Sequence, residues 1–174
     1  MILFAIIFVL LVAFVMTGCS QLSSKQSTVN KKYSAMLPDL TLRYVKLGEA
    51  VKIAEQVGGK RDVLEDAKKS LKDFENAKKD KNEKKQLEAS RELETIIGRL
   101  RANVKSSPKL SSSPEMNAAM ITLDGSMPGT DVVNEYEKAV NAYEQARTSW
   151  RLLLSALIGG YSTPEKLEFS ENKS

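Results

Sequence analysis

The chain has 174 residues, with 26 Lys and Arg against 22 Asp and Glu, a net charge of +4, one cysteine and no histidine. The missing histidine removes the commonest general base, the commonest transition-metal ligand and the near-neutral proton switch, and a single cysteine excludes an intrachain disulfide. Acidic and basic residues are interleaved, which marks a solvated surface more than a nucleic-acid face, so no cofactor, no metal and no nucleic-acid partner are expected.

The N-terminal segment, residues 1–18, opens with an uncharged apolar run from Ile2 to Met16. As a helix this run reaches roughly 22 Å, short of the ~30 Å hydrocarbon core, which suits the apolar part of a signal peptide better than a full span. Met16-Thr17-Gly18-Cys19 resembles the lipobox of bacterial lipoproteins, in which small residues fit the peptidase and the thiol takes the lipid. Cys19 is the expected lipidation site, and the expected location is extracytoplasmic and membrane-anchored. Signal peptides usually carry Lys or Arg ahead of the apolar run, and here no charge precedes Lys25. The alternative is therefore an uncleaved anchor, a single-pass protein whose Lys25, Lys31 and Lys32 hold the following domain in the cytoplasm.

Residues 19–31 are polar and serine-rich and read as a short tether. The folded region is expected over 32–162, with a tail at 163–174. Pro38 is expected to punctuate the start of the first long apolar-periodic segment, which carries Val45, Ala50, Ile53, Ala54 and Val57 and meets a break or kink at Gly58-Gly59. Leu64, Ala67, Leu71 and Phe74 put a stripe on one face of the next helix, with Glu65–Lys69 and Glu75–Lys79 as exposed pairs. Lys78 to Lys85 has nothing apolar to bury and reads as the loop of a helical hairpin. Leu93, Ile96, Ile97, Leu100 and Val104 mark the following helix, which Ser106-Ser107-Pro108 ends.

Ser113-Pro114 has the form of an N-cap with proline at the first helical position, so a short helix is expected from about Pro114 to Leu123. A last long helix, capped by Asp131, is expected to carry Val132, Tyr136, Ala139, Val140, Tyr143, Ala146, Trp150, Leu153 and Leu154 on one side and to end near Gly159-Gly160. Tyr136, Tyr143 and Trp150 form one aromatic line, read as core. Leu71, Phe74, Leu100 and Tyr143 are expected to meet in one core. Trp150, Leu153, Leu157 and Ile158 belong to a wider apolar surface than one seam requires, and are the candidate interaction surface. Glu92 with Glu94, and Glu135 with Glu137, lie about 200° apart on a helix and cannot share one site there. The expected class is all-α, an antiparallel helical bundle of three to four long helices behind the N-terminal segment.

Several segments in order resemble the LemA family. Lys32-Tyr33-Ser34-Ala35-Met36-Leu37-Pro38-Asp39-Leu40 resembles its RRADLIPNL element, and Ser107-Pro108-Lys109-Leu110 resembles the end of its VVENYPEL turn. Leu123-Asp124-Gly125-Ser126 is similar to its LEGT, Tyr136 through Glu144 to its YNEAVQDYN, and Leu154 through Tyr161 to its apolar C-terminal segment. Met127-Pro128-Gly129 departs from the pattern by interrupting the start of the last helix. The resemblance implies a membrane-attached antiparallel bundle and brings no catalytic residues with it.

The expected function is that of an envelope interaction or scaffolding module, not an enzyme, with the membrane and an unidentified protein as partners. Two alternatives stand beside it. One is an enzyme or small-ligand binder with a pocket between helices near Tyr136 or Trp150. The other is a cytoplasm-facing protein whose lysines touch anionic lipid.

Overall fold

The first helix, α1 (Ile2–Val57), is far longer than the sequence suggests, because neither Pro38 nor the polar 19–31 stretch interrupts it. The computed structural model describes residues 2–149, 152–162, 167 and 169, without the side chains of 2–11 and 154. Six further helices follow: α2 (Arg61–Lys79), α3 (Glu83–Ser106), α4 (Pro108–Ser111), α5 (Pro114–Asp124), α6 (Thr130–Thr148) and α7 (Leu153–Ile158). Among the described residues there is no strand, and the class is all-α.

Two features correct the expectation for α1. Pro38 lies inside the helix and removes one amide donor, the one that would bond the Ser34 carbonyl; both residues are exposed, so solvent can take that carbonyl. The helix stops where glycine permits it: Gly58 has φ +104°, a conformation disfavoured for residues with a Cβ, and the Gly58 and Gly59 amides both bond the Ala54 carbonyl. Residues 19–31, expected as a tether, are helical throughout.

The chain divides into two compact units. One joins Met36–Gly129 with Glu165–Ser174, and the other joins Met1–Ala35 with Thr130–Pro164. In the first, α2 and α3 run antiparallel as a hairpin. Arg99 bonds Asp66 at 2.6 Å and Asp62 at 3.3 Å near one end, Ser70 donates to Glu92 at 3.0 Å in the middle, and the Gln86 amide donates to the Ala77 carbonyl at 3.2 Å near the turn. Asn82 caps α3 by accepting from the Lys85 amide. The exposed pairs differ from those expected, since Glu65 takes Arg61 and Glu75 lies nearest Lys78.

The later part of α1 lies antiparallel to α2, with Lys68 on Glu55 at 2.7 Å and the rings of Tyr44 and Phe74 edge to face at 4.8 Å. Tyr44, Leu47, Ala50, Val51 and Ala54 are buried on this side of α1, whereas Val45 is 52 % exposed and leaves the expected stripe. Leu64, Ala67 and Phe74 of α2, and Leu93, Ile96, Ile97, Leu100 and Val104 of α3, are buried as their spacing predicts; Leu71 is only half-buried. Phe74 and Leu100 are buried in this unit, whereas Tyr143, on α6, belongs to the other.

Serine and proline set the starts of α4 and α5. Ser107 and Ser113 cap them with their hydroxyls, and Pro108 and Pro114 occupy first-turn positions where no amide is needed. The Ser113 hydroxyl accepts from the Met116 amide at 3.2 Å and donates to Glu115 at 2.9 Å. Its own backbone amide, then the Ser113 hydroxyl, hold the Glu115 carboxyl below the usual range. Ser113→Ala is expected to destabilise the fold by about 1 kcal/mol and to raise the Glu115 titration midpoint, read by carboxyl NMR; an unmoved midpoint would show the hydroxyl to be idle.

In the second unit the early part of α1 runs antiparallel to α6, and α7 rests on it between Val15 and Cys19. Lys32 pairs with Glu135 at 2.5 Å, Tyr33 packs on Tyr136 with ring centres 6.3 Å apart, and Ser155 reaches back to the Val15 carbonyl. The Lys32 hydrogen bond holds the Glu135 carboxyl below its ordinary range. Tyr136, Val140 and Tyr143 are buried, and Tyr143 donates to the Ser162 carbonyl at 3.0 Å while burial pushes its phenol up. The expected single last helix is two. The Ser149 amide is shared between the Gln145 and Ala146 carbonyls, the Thr148 hydroxyl takes the Glu144 carbonyl, and the Leu152 amide bonds Ser149, so the chain tightens and turns before α7 begins.

Candidate functional site around Cys19 and α7

Cys19 sits within α1, half-buried, and α7 lies directly against it. The thiol is 3.7 Å from the Ser155 carbonyl, the Ser155 hydroxyl donates to the Val15 carbonyl at 3.2 Å, and the Tyr161 hydroxyl donates to the Cys19 carbonyl at 2.8 Å. Gly18 makes this approach possible. A Cβ placed there would fall 2.1 Å from the Ser155 oxygen and 2.7 Å from its Cβ, so any side chain would push α7 off α1.

Around this contact both helices turn apolar side chains outward. On α1, Val12 and Phe14 are exposed and Met16 is 68 % exposed; on α7, Leu153 is exposed, with Leu157 at 72 % and Ile158 at 68 %. Val12 and Met16 share one side of α1 and Phe14, two residues from each, points about 200° away, so these are separate exposed side chains and not one face. Charge is missing as well: the sequence has none before Lys25, and none between Arg151 and Glu165. Three of the four candidate surface residues, Leu153, Leu157 and Ile158, are exposed on α7, within three positions of the buried Ser155 by which α7 rests on α1. Trp150 lies outside the described residues.

Sequence reasoning missed the most polar buried feature. Arg43 and Glu94 are both fully buried in the larger unit; Nε and Nη2 of the guanidinium bond the two carboxylate oxygens at 2.7 and 2.9 Å, and Nη1 donates to the Leu123 carbonyl at 2.9 Å. Leu123 is in the last turn of α5, and its carbonyl also accepts from the Ser126 amide at 3.2 Å and the Ser126 hydroxyl at 2.7 Å, so one arginine ties a carboxylate fork to a capped helix end. The signal was present, because Arg43 follows the Met36 and Leu40 steps of the α1 stripe and Glu94 adjoins Leu93 on that of α3. A surface depression of about 300 Å³ on the α2–α3 face is lined by Asp66, Lys69, Ser70, Glu92, Thr95 and Arg99. Ile96 completes that lining; Tyr136 is not part of it, and its buried ring is packed against Tyr33.

Among the described residues no cluster of three or more Cys, Asp or Glu is placed to hold a metal ion, and no helix is long and apolar enough to cross a membrane. Comparison with protein-family models, with curated proteins and with solved structures finds no match.

Proposed function

We propose that this chain is a membrane-attached, LemA-like antiparallel helical bundle that acts as an interaction or scaffolding module at a cell envelope. The observation that carries the reading is the apolar, charge-free N-terminal segment ending in Met16-Thr17-Gly18-Cys19, continued on the outside by Val12, Phe14 and Met16. Lipid on Cys19 is the preferred attachment, since several acyl chains at roughly 0.8 kcal/mol per buried methylene hold a protein at a bilayer almost permanently. Retention of the segment as an uncleaved anchor is the second reading. It draws on the use of Val15 and Gly18 as the seat of Ser155, a seat that cleavage before Cys19 would remove.

Palmitate labelling of the wild type and of Cys19→Ser, with the mass of the mature chain, separates the two. Wild-type labelling that vanishes in the variant, on a chain shortened to Cys19, is the expected result. An unlabelled full-length chain in the membrane fraction supports the anchor, and an unlabelled chain in the soluble fraction overturns membrane attachment altogether.

A further inference from the structure

We infer that the turn between α2 and α3 is a contact for an anionic lipid surface, with the ammonium groups of Lys79, Lys81 and Lys85 against phosphate headgroups. The inference rests on the membrane attachment proposed above as the source of that surface. Composition supplies the first argument. From Lys78 to Lys85 there are five lysines against Asp80 and Glu83, with neither an arginine nor an aromatic residue among them. Protein interfaces are rich in arginine and aromatic side chains and poor in lysine, and single-stranded nucleic acid is held by aromatic stacking, so an all-lysine cluster fits the diffuse field of a lipid surface better than either. Lys79, Lys81 and Lys85 are exposed, and among the described residues none of the three is paired with a carboxylate; Lys78 and Lys84 lie nearest Glu75 and Glu88, at 3.9 and 3.8 Å.

Placement supplies the second. The Asn82 amide bonds the Ala77 carbonyl at 3.0 Å and the Lys81 amide that of Lys78 at 3.2 Å, a helix ending that puts Lys81 in the left-handed region at φ 51°. Gly58 and Gly160 hold the other positive-φ positions, and among the described residues Lys81 alone does so with a Cβ. Lys85 follows in the first turn of α3, where free amides favour an acid such as Glu83 and disfavour a cation. Lysines kept at a local cost, with no ion pair to offset it, point to a use outside the fold. Topology is the third argument. Because α2 runs antiparallel to the later part of α1, the turn lies beside the Met36 end of that part, where α1 enters the unit from the N-terminal segment; Lys60 lies at the opposite end.

The test reads the lysines directly in the full chain. It is reconstituted into vesicles of phosphatidylethanolamine with phosphatidylglycerol and, in parallel, with phosphatidylcholine, with a short DNA duplex as a third arm. Each sample is pulsed with acetic anhydride, and mass spectrometry gives the acetylation of each lysine. On the anionic vesicles Lys79, Lys81 and Lys85 are expected to react about fivefold more slowly than on the neutral ones, with the exposed Lys52 and Lys60 unchanged, and about 0.5 M salt is expected to remove the difference. Equal rates on both vesicles, or slowing spread evenly to Lys52 and Lys60, overturn the inference and leave membrane attachment standing. Slowing by the duplex and by neither vesicle overturns it in favour of a nucleic-acid contact. Flotation with the anionic vesicles alone, with the three lysines protected, supports the contact and overturns attachment through the N-terminal segment; a chain that floats with neither overturns both.

Discussion

Arg43→Met is expected to cost the fold about 3–5 kcal/mol in guanidinium unfolding followed by helical circular dichroism. The reason is what stays behind. Methionine fills much of the space but leaves Glu94, 1 % exposed at its side chain, with neither the fork that compensates its charge nor water to replace it. The Leu123 carbonyl loses one of its three donors but keeps the Ser126 amide and hydroxyl. Adding Glu94→Leu should recover most of the loss, because an apolar pair of similar volume has no charge to strand and the Leu123 carbonyl still accepts from Ser126. A single variant that loses less than about 1 kcal/mol, or a double variant no better than the single, would show that the pair is not the keystone of this unit.

Phe74→Ala is expected to cost about 3–5 kcal/mol in the same measurement. Phe74 is 1 % exposed and meets the ring of Tyr44 edge-on at 79°, so truncation removes apolar burial, opens a cavity and forfeits an aromatic pair worth about 0.5–1.5 kcal/mol. Tyr44 is tied by its hydroxyl to the Ser90 carbonyl at 3.3 Å, which limits how far it can swing into the gap. Phe74→Leu should cost clearly less. Equal losses in the two variants would mean that the site collapses freely and that the ring contact contributes little.

Much of the helical order was legible because local chemistry decides it. Gly58-Gly59, the charged turn after Lys79, Ser106-Ser107-Pro108 and Ser113-Pro114 each stop or start a helix by supplying or withholding a backbone partner within a few residues. The misses are those in which distant packing outweighs a local cost. Pro38 forfeits one hydrogen bond on an exposed face, too little to end a helix held on the other side by Met36, Leu40 and Arg43. The polar stretch 19–31 is helical because Leu22 and Val29 are buried among its serines, a sparse stripe that composition hides. Burial of Arg43 and Glu94 was unreadable from either residue alone, since each is tolerable there only when the other arrives. For the candidate site, the sequence marked Cys19 and the α7 residues separately, and their meeting through Gly18 and Ser155 depends on a separation of 136 residues.

The Arg43 fork also constrains the order in which its unit can assemble. Its partners lie 51 and 80 residues along the chain, whereas the α2–α3 hairpin closes through contacts between neighbouring helices. A hairpin formed early must keep Glu94 hydrated, and an α1 docked before α5 would bury a guanidinium with one of its acceptors missing. Both half-built states carry the penalty of a dehydrated charge without its full compensation, so neither accumulates. During synthesis Arg43 leaves the ribosome well before Leu123 exists to receive it, so α1 docked early would leave the guanidinium without that acceptor. The fork therefore favours a joint closure of α1, α3 and α5 over stepwise docking, with the loop-closing entropy spent before the fork returns anything.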